Sequence, residues 1–560
     1  MKSKPRMIAK RSRFTGLRRC GKPPGMKHTR INRRHFLGQA SKAAGASGVA
    51  LLGMPLIVTG PQAWGQASGV GVGEDQTEQR FALGVASGEP TSQGMVLWTR
   101  LMGANLPEDQ AVPVQWEVAE DEQFTRIAAR GVEQAEALWA HSVHAQPQGL
   151  QPNRPYWYRF TAMGQRSPVG LTRTAPSADA AAASLRFIIA SCQRYDVGHF
   201  AAWRHAAAWK PELILFLGDY IYETATPPGR VRRHDSGYVS TLSQYRARYA
   251  HYKRDPHLQA AHACAPWMVI WDDHEVDNDY AGLQGQRLQP RFEAQRLNAY
   301  QAYWEHMPLP QSMRPDLSAR GGSLKLYRSH DWGRLARIHL LDDRQYRAPQ
   351  VCPKPGRGGS NTVTVQDCPD FLDPQRSLLG FEQEQWLQQN WDLSRPWNLL
   401  AQQTLMSRWS WTDPQGPTRG TYWTDGWDGY PLARQRLLQT VADKKVPGVV
   451  VLGGDVHANY VADLKLDPER LNSPTVASEF CGTSITSEGL PQDRVQAAWR
   501  FNPHVHFARS DQRGFVAFEL DAHTLRAQLQ VVNDVLDPNS DQRTAARFAV
   551  EAARPGVMKA

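Results

Sequence analysis

The sequence lacks a segment suited to crossing a membrane and, in its first 67 residues, any acidic side chain. The apolar run from Ala43 to Val58 is broken by glycine and proline and is shorter than the ~20 residues that a membrane span needs. The 560 residues carry a net charge of +11, but 14 of the 65 Lys and Arg lie in residues 1–67. The remainder holds 51 basic and 54 acidic residues without a basic run, which argues against nucleic-acid binding.

The basic N-terminal segment is typical of an export signal. Arg33 and Arg34 precede a weakly apolar stretch that ends in small residues at Gly65 and Ala67. This order predicts a twin-arginine signal peptide over residues 1–67, which the twin-arginine export machinery would recognise. A basic surface helix or a membrane anchor is the alternative interpretation. We therefore expect an exported protein, periplasmic or extracellular, with no membrane span in the mature chain.

Cysteines are few, and two of the six flank a loop-like stretch. Cys352 and Cys368 enclose a segment rich in glycine, proline and serine, which a disulfide would clip in an oxidising compartment. The alternative is a pair of free thiols. An odd number of cysteines remains after the leader, so at least one thiol is expected to have another role.

Residues 75–175 show the pattern of a small β domain. Apolar side chains alternate with polar ones in Val114–Val118 and Tyr156–Phe160, as in half-buried antiparallel strands. This pattern predicts an immunoglobulin- or fibronectin-like β-sandwich. An alanine-rich linker over residues 175–184 follows it.

Residues 184–540 alternate apolar strands with helical patterns, which predicts a layered catalytic domain of the α/β or α+β class. The helices are predicted at Ala201–Trp209, Leu242–Tyr252, Pro290–Trp304, Phe381–Leu393 and Pro431–Ala442. Val516–Leu520 and Leu525–Val531 predict a closing hairpin. Residues 541–560 are predicted to form a C-terminal helix, from Asp541 to Ala553, and a tail.

Four predicted strands end in residues that carry chemistry. The strongest is the apolar run Leu213–Leu217, which leads through glycine into Asp219 and is expected to be buried on both faces. The other three lead into Cys192, into Asp272-Asp273-His274-Glu275 and into Asp455-Val456-His457. Ligand sites of open α/β sheets form at the carboxyl ends of strands, so we expect one convergent site.

Carboxylates and imidazoles gathered at such a site would repel one another, or be poorly solvated, unless cations lay between them. We expect the Asp219 carboxylate to bridge two metal ions. The Tyr222 phenol and the Cys192 thiol favour trivalent iron at one of them. Taken singly, each residue has an ordinary interpretation, such as a helix cap, a packed tyrosine or a buried thiol.

The remaining candidate ligands divide between the two ions. Asp455 and His457 stand two positions apart, on the same side of an extended segment, and would complete the iron site. Asp273 would serve the second site, which is rich in oxygen and suits calcium.

These motifs together resemble those of the PhoD-like alkaline phosphatases. The resemblance covers nearly all of the mature chain, and the motifs that carry it are Ser191-Cys192-Gln193, Leu217–Glu223, Trp271–Asn278 and Gly453–His457. It implies a metallophosphoesterase-like β-sandwich core flanked by helices, with one Fe³⁺ and one or two Ca²⁺. It also implies hydrolysis of phosphate monoesters and diesters, with iron held by Cys192, Asp219, Tyr222, Asp455 and His457, and calcium held by Asp219 and Asp273.

The mechanism expected for such a site is in-line attack on phosphorus by a metal-activated hydroxide. Arg344, and with less support Arg194, are the expected phosphate clamps, because a guanidinium can donate two parallel hydrogen bonds to a phosphate. His274 is the expected proton donor to the leaving oxygen. The alternatives are a salt bridge from Arg344 to Asp342 or Asp343, and a structural hydrogen bond from His274 to a ligand carboxylate.

Two other functions fit the same residues. A phospholipase D-like phosphodiesterase differs only in its leaving group, which the metal ligands do not determine. An exported, non-catalytic binding protein would hold the metals as structural ions. We expect a monomer whose partners are phosphate ester substrates.

Overall fold

Strands and helices alternate along the residues that the computed structural model describes, 79–470 and 472–560. The predicted signal peptide with Arg33 and Arg34 lies outside the described residues. The helices are α1 (Ala201–Ala208), α2 (Leu242–Lys253), α3 (Pro256–Cys264), α4 (Phe292–His306), α5 (Phe381–Asn390), α6 (Pro431–Lys444) and α7 (Gln492–Trp499). None of these helices in the described residues is long and apolar enough to cross a membrane.

The strands follow in chain order. They are β1 (Val85–Gly88), β2 (Val96–Arg100), β3 (Val112–Ala119), β4 (Ile127–Ala135), β5 (Ser142–Ala145), β6 (Pro155–Ala162), β7 (Gln165–Arg166), β8 (Gly170–Arg173), β9 (Ser184–Ala190), β10 (Leu213–Phe216), β11 (Pro266–Val269), β12 (Arg328–Trp332), β13 (Ala336–Leu340), β14 (Thr362–Thr364), β15 (Trp397–Ala401), β16 (Thr421–Trp423), β17 (Val449–Gly453), β18 (Asn459–Lys465), β19 (Thr475–Cys481), β20 (Val505–Arg509), β21 (Gly514–Asp521), β22 (Thr524–Val532), β23 (Gln542–Glu551) and β24 (Arg554–Lys559).

The five predicted helices are confirmed to within a few residues, whereas α3 and α7 were not predicted. For α3 the sequence does carry a start signal. The Asp255 side chain caps the helix by accepting hydrogen bonds from the peptide N–H groups of His257 and Leu258, and Pro256 occupies the first turn. An acidic cap followed by proline is a common beginning of a helix.

A ten-stranded sheet holds the strand on which the sequence analysis centred. Its order is β24-β23-β22-β21-β9-β10-β11-β1-β2-β5, with β9, β10 and β11 parallel neighbours. Leu213 and Leu215 of β10 pack into a core shared with the second large sheet, while Ile214 and Phe216 pack against helices. The strand is therefore buried on both faces as predicted, which stabilises the fold by roughly 1.5–3 kcal/mol for each large side chain.

A seven-stranded sheet faces the first, in the order β12-β13-β15-β17-β19-β18-β20, with β13, β15, β17 and β19 parallel. Apolar side chains of both sheets meet in one core; Phe187 of β9 and Phe518 of β21 stack there at 4.7 Å between ring centroids. Helices α1 to α4 pack on the outer face of the larger sheet, and α5 and α6 on that of the smaller. The result is a helix–sheet–sheet–helix arrangement.

The N-terminal strands are shared between two sheets. Strands β1, β2 and β5 extend the ten-stranded sheet, where β1 pairs in parallel with β11, while β3, β4, β6, β7 and β8 form a separate sheet. Side chains from both layers, including Leu97, Trp116 and Tyr158, form one core. Two layers do face each other here, but one continues into the large sheet instead of closing on itself.

The predicted C-terminal helix is wrong. Residues 542–551 and 554–559 form strands β23 and β24, and β23 pairs antiparallel with β22 of the closing hairpin, which is confirmed. Alanine and arginine give this segment a high helix propensity. Its side chains nevertheless alternate, with Phe548 and Val550 buried between more exposed neighbours, and pairing along a sheet edge overrides local propensity.

A disulfide joins Cys352 and Cys368, whose Cα atoms are 6.0 Å apart. It closes a loop in the segment between β13 and α5, beside the short β14–β16 sheet. Cys192 and Cys481 are buried free thiols, and Cys264 is a half-buried one.

Candidate metal centre

The predicted ligands lie on sharp turns directly after the parallel strands of both large sheets. Cys192 after β9, Asp219 after β10, and Asp455 and His457 after β17 all have positive φ angles, between 53° and 63°. For residues other than glycine this backbone region is uncommon, and it costs roughly 1–3 kcal/mol at each position. Such strain collects at functional sites, where the surrounding structure holds the side chains in place.

Glycine at position 218 makes one of these turns feasible. Its φ is +104°, and a Cβ atom there would lie 2.5 Å from the Cβ atom of Asp272. The glycine therefore lets the chain bring Asp219 next to the turn that follows β11.

The first donor group combines four kinds of side chain. Ligand atoms of Cys192, Asp219 and His457 all lie within 4.8 Å of one another. The Tyr222 hydroxyl donates a hydrogen bond to Asp219 Oδ2 at 2.7 Å and lies 3.3 Å from His457 Nε2. The structure thus brings together the thiol, carboxylate, phenol and imidazole that the sequence analysis predicted would meet.

His457 is held in the tautomer that suits a ligand. Its Nδ1–H donates to the carbonyl oxygen of Glu488 at 2.7 Å. Because the carbonyl only accepts, Nδ1 carries a proton, which leaves Nε2, 4.0 Å from the Asp219 carboxylate, as the nitrogen that can bind a metal ion.

A second donor group shares Asp219. Ligand atoms of Asp219, Asp273 and His274 lie within 4.8 Å of one another. His274 Nδ1 is 2.7 Å from Glu223 Oε2, which accepts its hydrogen bond. One carboxylate therefore belongs to both groups, which is the geometry expected of a bridging ligand.

A third acidic group, Asp273 with Asp279 and Asp425, is also buried. Its carboxylates are already occupied by protein donors: Asp279 accepts from Gln286 and Ser360, and Asp425 from arginine side chains. It is therefore a weaker candidate for a metal than the first two groups.

The expected phosphate clamp Arg344 has a different position from the one the sequence analysis assigned. Its side chain is 1% exposed and is enclosed by carboxylates: it pairs with Asp272, with Asp425 at 2.7 Å, and lies 3.7 Å from Asp273 and 3.9 Å from Asp455. The salt bridge to Asp342 or Asp343 is not found either. Because its guanidinium is buried and pairs with Asp272 and Asp425, Arg344 is a buried counter-charge and is not exposed to a substrate phosphate.

Arg194 and His274 lie at the opening of the centre. Arg194 pairs with Asp196 at 2.7 Å, and its Cζ atom is 5.5 Å from the centre of the Tyr222 ring. Both side chains line a recess of about 470 Å³ together with Tyr222 and Ser487. These two residues, unlike Arg344, can meet a ligand from solvent.

The charges of the donor groups compete with one another. Burial raises the pKa of the Cys192 thiol, and the neighbouring Asp219 raises it further. The pKa of Tyr222 is raised in the same way, by burial and then by Asp219 and Cys192. Burial raises the pKa of Asp273 to about 7 even though Arg344 and His274 lower it. Burial would raise the pKa of Asp219 as well, but His274, His457 and the hydrogen bond from Tyr222 outweigh it and lower that pKa.

These residues fit metal ions. The Oδ2 atom of Asp455 is buried and has no hydrogen-bond partner among the described residues. Thiol, phenol and imidazole donors around an acidic residue suit a transition-metal ion, and the oxygen-rich second group suits a hard cation. Added positive charge would relieve the repulsion that raises the pKa values of Cys192 and Tyr222.

Three residues support the centre that the sequence analysis did not single out. Glu275 accepts hydrogen bonds from the peptide N–H groups of Asp219 (3.1 Å) and Asp272 (2.9 Å), which ties two strand-end turns together. Ser487 donates to the Cys192 carbonyl at 2.8 Å, and Glu223 accepts from His274. Glu223 and Glu275 stand inside recognisable motifs, but only the folded chain reveals their contacts, and no sequence signal marks Ser487.

Comparison with known proteins extends over almost the whole chain. A family model described as PhoD-like phosphatase matches residues 187–529, and one described as PhoD-like phosphatase, N-terminal domain, matches residues 65–176. Alkaline phosphatase D of Bacillus subtilis (strain 168) is 40% identical over 555 residues, covering 96% of this chain and 91% of that protein. A solved structure described as "Structure of PhoD" has a TM-score of 0.80 and 40% identity, covering 87% of this chain and 93% of the other.

Proposed function

The chain belongs to the PhoD-like phosphatase family and is a phosphoric ester hydrolase, and from this premise we propose a more specific function. The protein is an exported alkaline phosphatase that hydrolyses phosphate monoesters and diesters with one Fe³⁺ and one or two Ca²⁺. The observation that carries the proposal is the shared Asp219, which lies within 4.8 Å of ligand atoms in two donor groups at once.

The proposed ligand sets take Cys192, Asp219, Asp273 and His457 from the two donor groups and add Tyr222 and Asp455. Cys192, Asp219, Tyr222, Asp455 and His457 hold the iron. Asp219 and Asp273 hold calcium. When bound, the ions polarise the phosphoryl oxygens and lower the pKa of a water that attacks phosphorus.

His274 is the proposed proton donor to the leaving ester oxygen. Burial lowers the pKa of its imidazole, but Glu223, Asp219 and Asp273 together raise that pKa well above its usual value. Cations that neutralise Asp219 and Asp273 would bring the pKa down toward the range in which an imidazolium gives up its proton readily.

Arg194 is the proposed phosphate contact. Its Nε and Nη2 atoms bond Asp196, and no hydrogen bond of Nη1 is found within residues 79–470 and 472–560. That N–H group, on a side chain 21% exposed beside Tyr222, can donate to a phosphoryl oxygen.

The test is elemental analysis and assay of the purified mature protein. We expect about one iron and one or two calcium ions per chain, a visible absorption band from phenolate or thiolate bound to ferric iron, and loss of activity on chelation. A phosphate monoester, a bis-aryl diester and phosphatidylcholine should be compared as substrates, because release of choline alone would favour a phospholipase D-like enzyme. A colourless, iron-free protein with full activity would overturn the ferric assignment.

A further inference from the structure

A cavity of about 440 Å³ opens beside the carboxylates of the centre, and several tryptophans and one tyrosine are among the residues that line it. Asp219, Asp273 and Asp455 lie at one end of it. The volume is within the usual range of small-molecule pockets. The recess on the other side of His274 is of similar size, but it is lined by polar and charged side chains such as Arg194 and Arg287. The two openings therefore offer different chemistry to the substituents of a phosphate ester.

Indole rings supply most of the aromatic wall. Trp409 is 4% exposed and packs edge-to-face against Trp411 at 5.9 Å and against Tyr460 at 4.8 Å between ring centroids. Trp411 and Trp423 are half-buried and complete the wall, with Leu490, 41% exposed, at the rim. Such rings present flat, apolar faces that bind other flat rings better than they bind saturated groups of the same size.

Two further observations concern the tryptophans that line this cavity. The Trp409 Nε1–H is buried and has no hydrogen-bond partner among the described residues, which is uncommon for a buried donor. The Arg494 guanidinium lies over the Trp411 ring at 4.7 Å and keeps that ring in place from the solvent side.

We propose that this aromatic cleft, formed by Trp409, Trp411, Trp423 and Tyr460, binds a flat aromatic group esterified to the phosphate. The inference rests on the proposed function, since it assumes that the phosphoryl group lies at Asp219 and Asp273. A phosphate held there would direct one ester substituent into the cleft. The protein is therefore selective for aromatic over saturated substituents, and Trp411 and Trp423 determine that selectivity.

The test measures binding separately from turnover. Metal-loaded protein is titrated by calorimetry with 2-naphthylmethylphosphonate and with its saturated analogue decalin-2-ylmethylphosphonate, whose C–P bonds resist hydrolysis. We expect the naphthyl compound to bind about tenfold more tightly, as stacking on two rings would provide. Trp411→Ala and Trp423→Ala should each reduce the preference to about threefold or less, and Trp411→Phe should retain most of it.

Trp209→Ala is the matched control. Trp209 is a half-buried tryptophan that stacks under Arg186 at 4.2 Å and does not line the cleft, so its loss should leave the preference unchanged. Thermal unfolding of every variant checks that it folds. If a variant does not fold, the comparison of the two phosphonates on the wild-type protein still tests the proposal.

The outcomes separate the two proposals. Equal dissociation constants for the two phosphonates, or a preference that survives in both tryptophan-to-alanine variants, would overturn the aromatic cleft. A naphthyl preference in a protein that hydrolyses no ester would support the cleft and overturn the proposed function. Hydrolysis of esters without any aromatic preference would support the proposed function and overturn the aromatic cleft.

Discussion

Two buried clusters of charged side chains lie in this fold, and their charges are balanced differently. At the end of β1, Glu89 accepts a hydrogen bond from Arg328 at 2.8 Å and lies 2.9 Å from His330 Nε2. Burial alone would raise the pKa of Glu89, but these partners lower it to about 2. The negative charge of Glu89 is therefore balanced by Arg328 and His330 without an added ion.

The cluster around Arg344 is short of positive charge. Four carboxylates, those of Asp272, Asp273, Asp425 and Asp455, face its guanidinium. Of the four, Asp425 alone has a second arginine partner among the described residues, Arg347 at 2.9 Å. Burial raises the pKa values of Asp272 and Asp455 well above their usual range in spite of Arg344. The charges of the Glu89 cluster are balanced by protein side chains alone. The Arg344 cluster has an excess of negative charge, which bound cations would neutralise.

The sharpest test of this contrast is Asp219→Asn. Loss of the shared carboxylate should lower kcat/KM by about 10³-fold or more, as expected when a central member of a catalytic group is removed. Initial rates of ester hydrolysis and elemental analysis measure the change, and iron and calcium content should both fall. Glu89→Gln is the control, and it should keep its metals and most of its activity. An Asp219→Asn protein with normal metal content would argue against a bridging role.

Replacing Arg344 with methionine should lower the free energy of unfolding, and not only the catalytic activity. Asp272, Asp273 and Asp455 would lose the one arginine that pairs with them among the described residues, and Asp425 would keep only Arg347. Removal of one partner from a buried pair costs about 3–5 kcal/mol of unfolding free energy. Urea unfolding in chelator measures this loss, and added calcium and iron should recover part of it. Arg320→Met is the control, because Arg320 is 76% exposed and its pair with Glu293 should contribute little. Equal stability of the Arg344 and Arg320 variants would contradict a buried counter-charge.

The cluster around Glu89 should make the free energy of unfolding depend on pH in the acid range. Glu89 has a pKa of about 2 in the folded protein and an ordinary value of 4.5 when unfolded. Its contribution, about 3 kcal/mol, is therefore fully present above pH 4.5 and is lost as the pH falls from 4.5 through 2. Urea unfolding at several pH values should show this loss in the wild type, and Glu89→Gln should reduce the slope in that window. Identical slopes in the two proteins would show that Glu89 is not stabilised by its ion pairs.

The sequence predicted the positions of the candidate metal ligands better than it predicted the structure around them. Buried runs such as Leu213–Leu217 predict strands, and the rule that sites form at carboxyl ends then gathers Cys192, Asp219 and His457. Local propensity misled where tertiary pairing decides, as in β23, which is rich in helix-forming residues but pairs with β22.

Long-range charge pairing was the other limit. Sequence adjacency suggested Asp342 and Asp343 as partners of Arg344, but its partners Asp272 and Asp425 lie 72 and 81 residues away. Nothing local distinguishes an arginine that reaches solvent from one enclosed by carboxylates. The left-handed turns at the ligand positions are equally invisible in the sequence, because a positive φ is uncommon for any residue other than glycine.

The smallest expected effect concerns Glu223, which is buried and accepts a hydrogen bond from His274. Its Oε2 accepts from His274 Nδ1 at 2.7 Å, and its Oε1 accepts from the peptide N–H of Asn278 at 3.2 Å. Glu223→Gln keeps the shape but removes the negative charge that orients the imidazole, so kcat/KM should fall by about 10- to 100-fold, the usual cost of losing such a partner. Glu117→Gln, which breaks a more exposed pair with Arg159, is the control and should leave the rate unchanged. If the Glu223 variant keeps its full rate while losing stability, then Glu223 belongs with Glu89 among the residues that only stabilise the fold, and the acid role of His274 would lose its support.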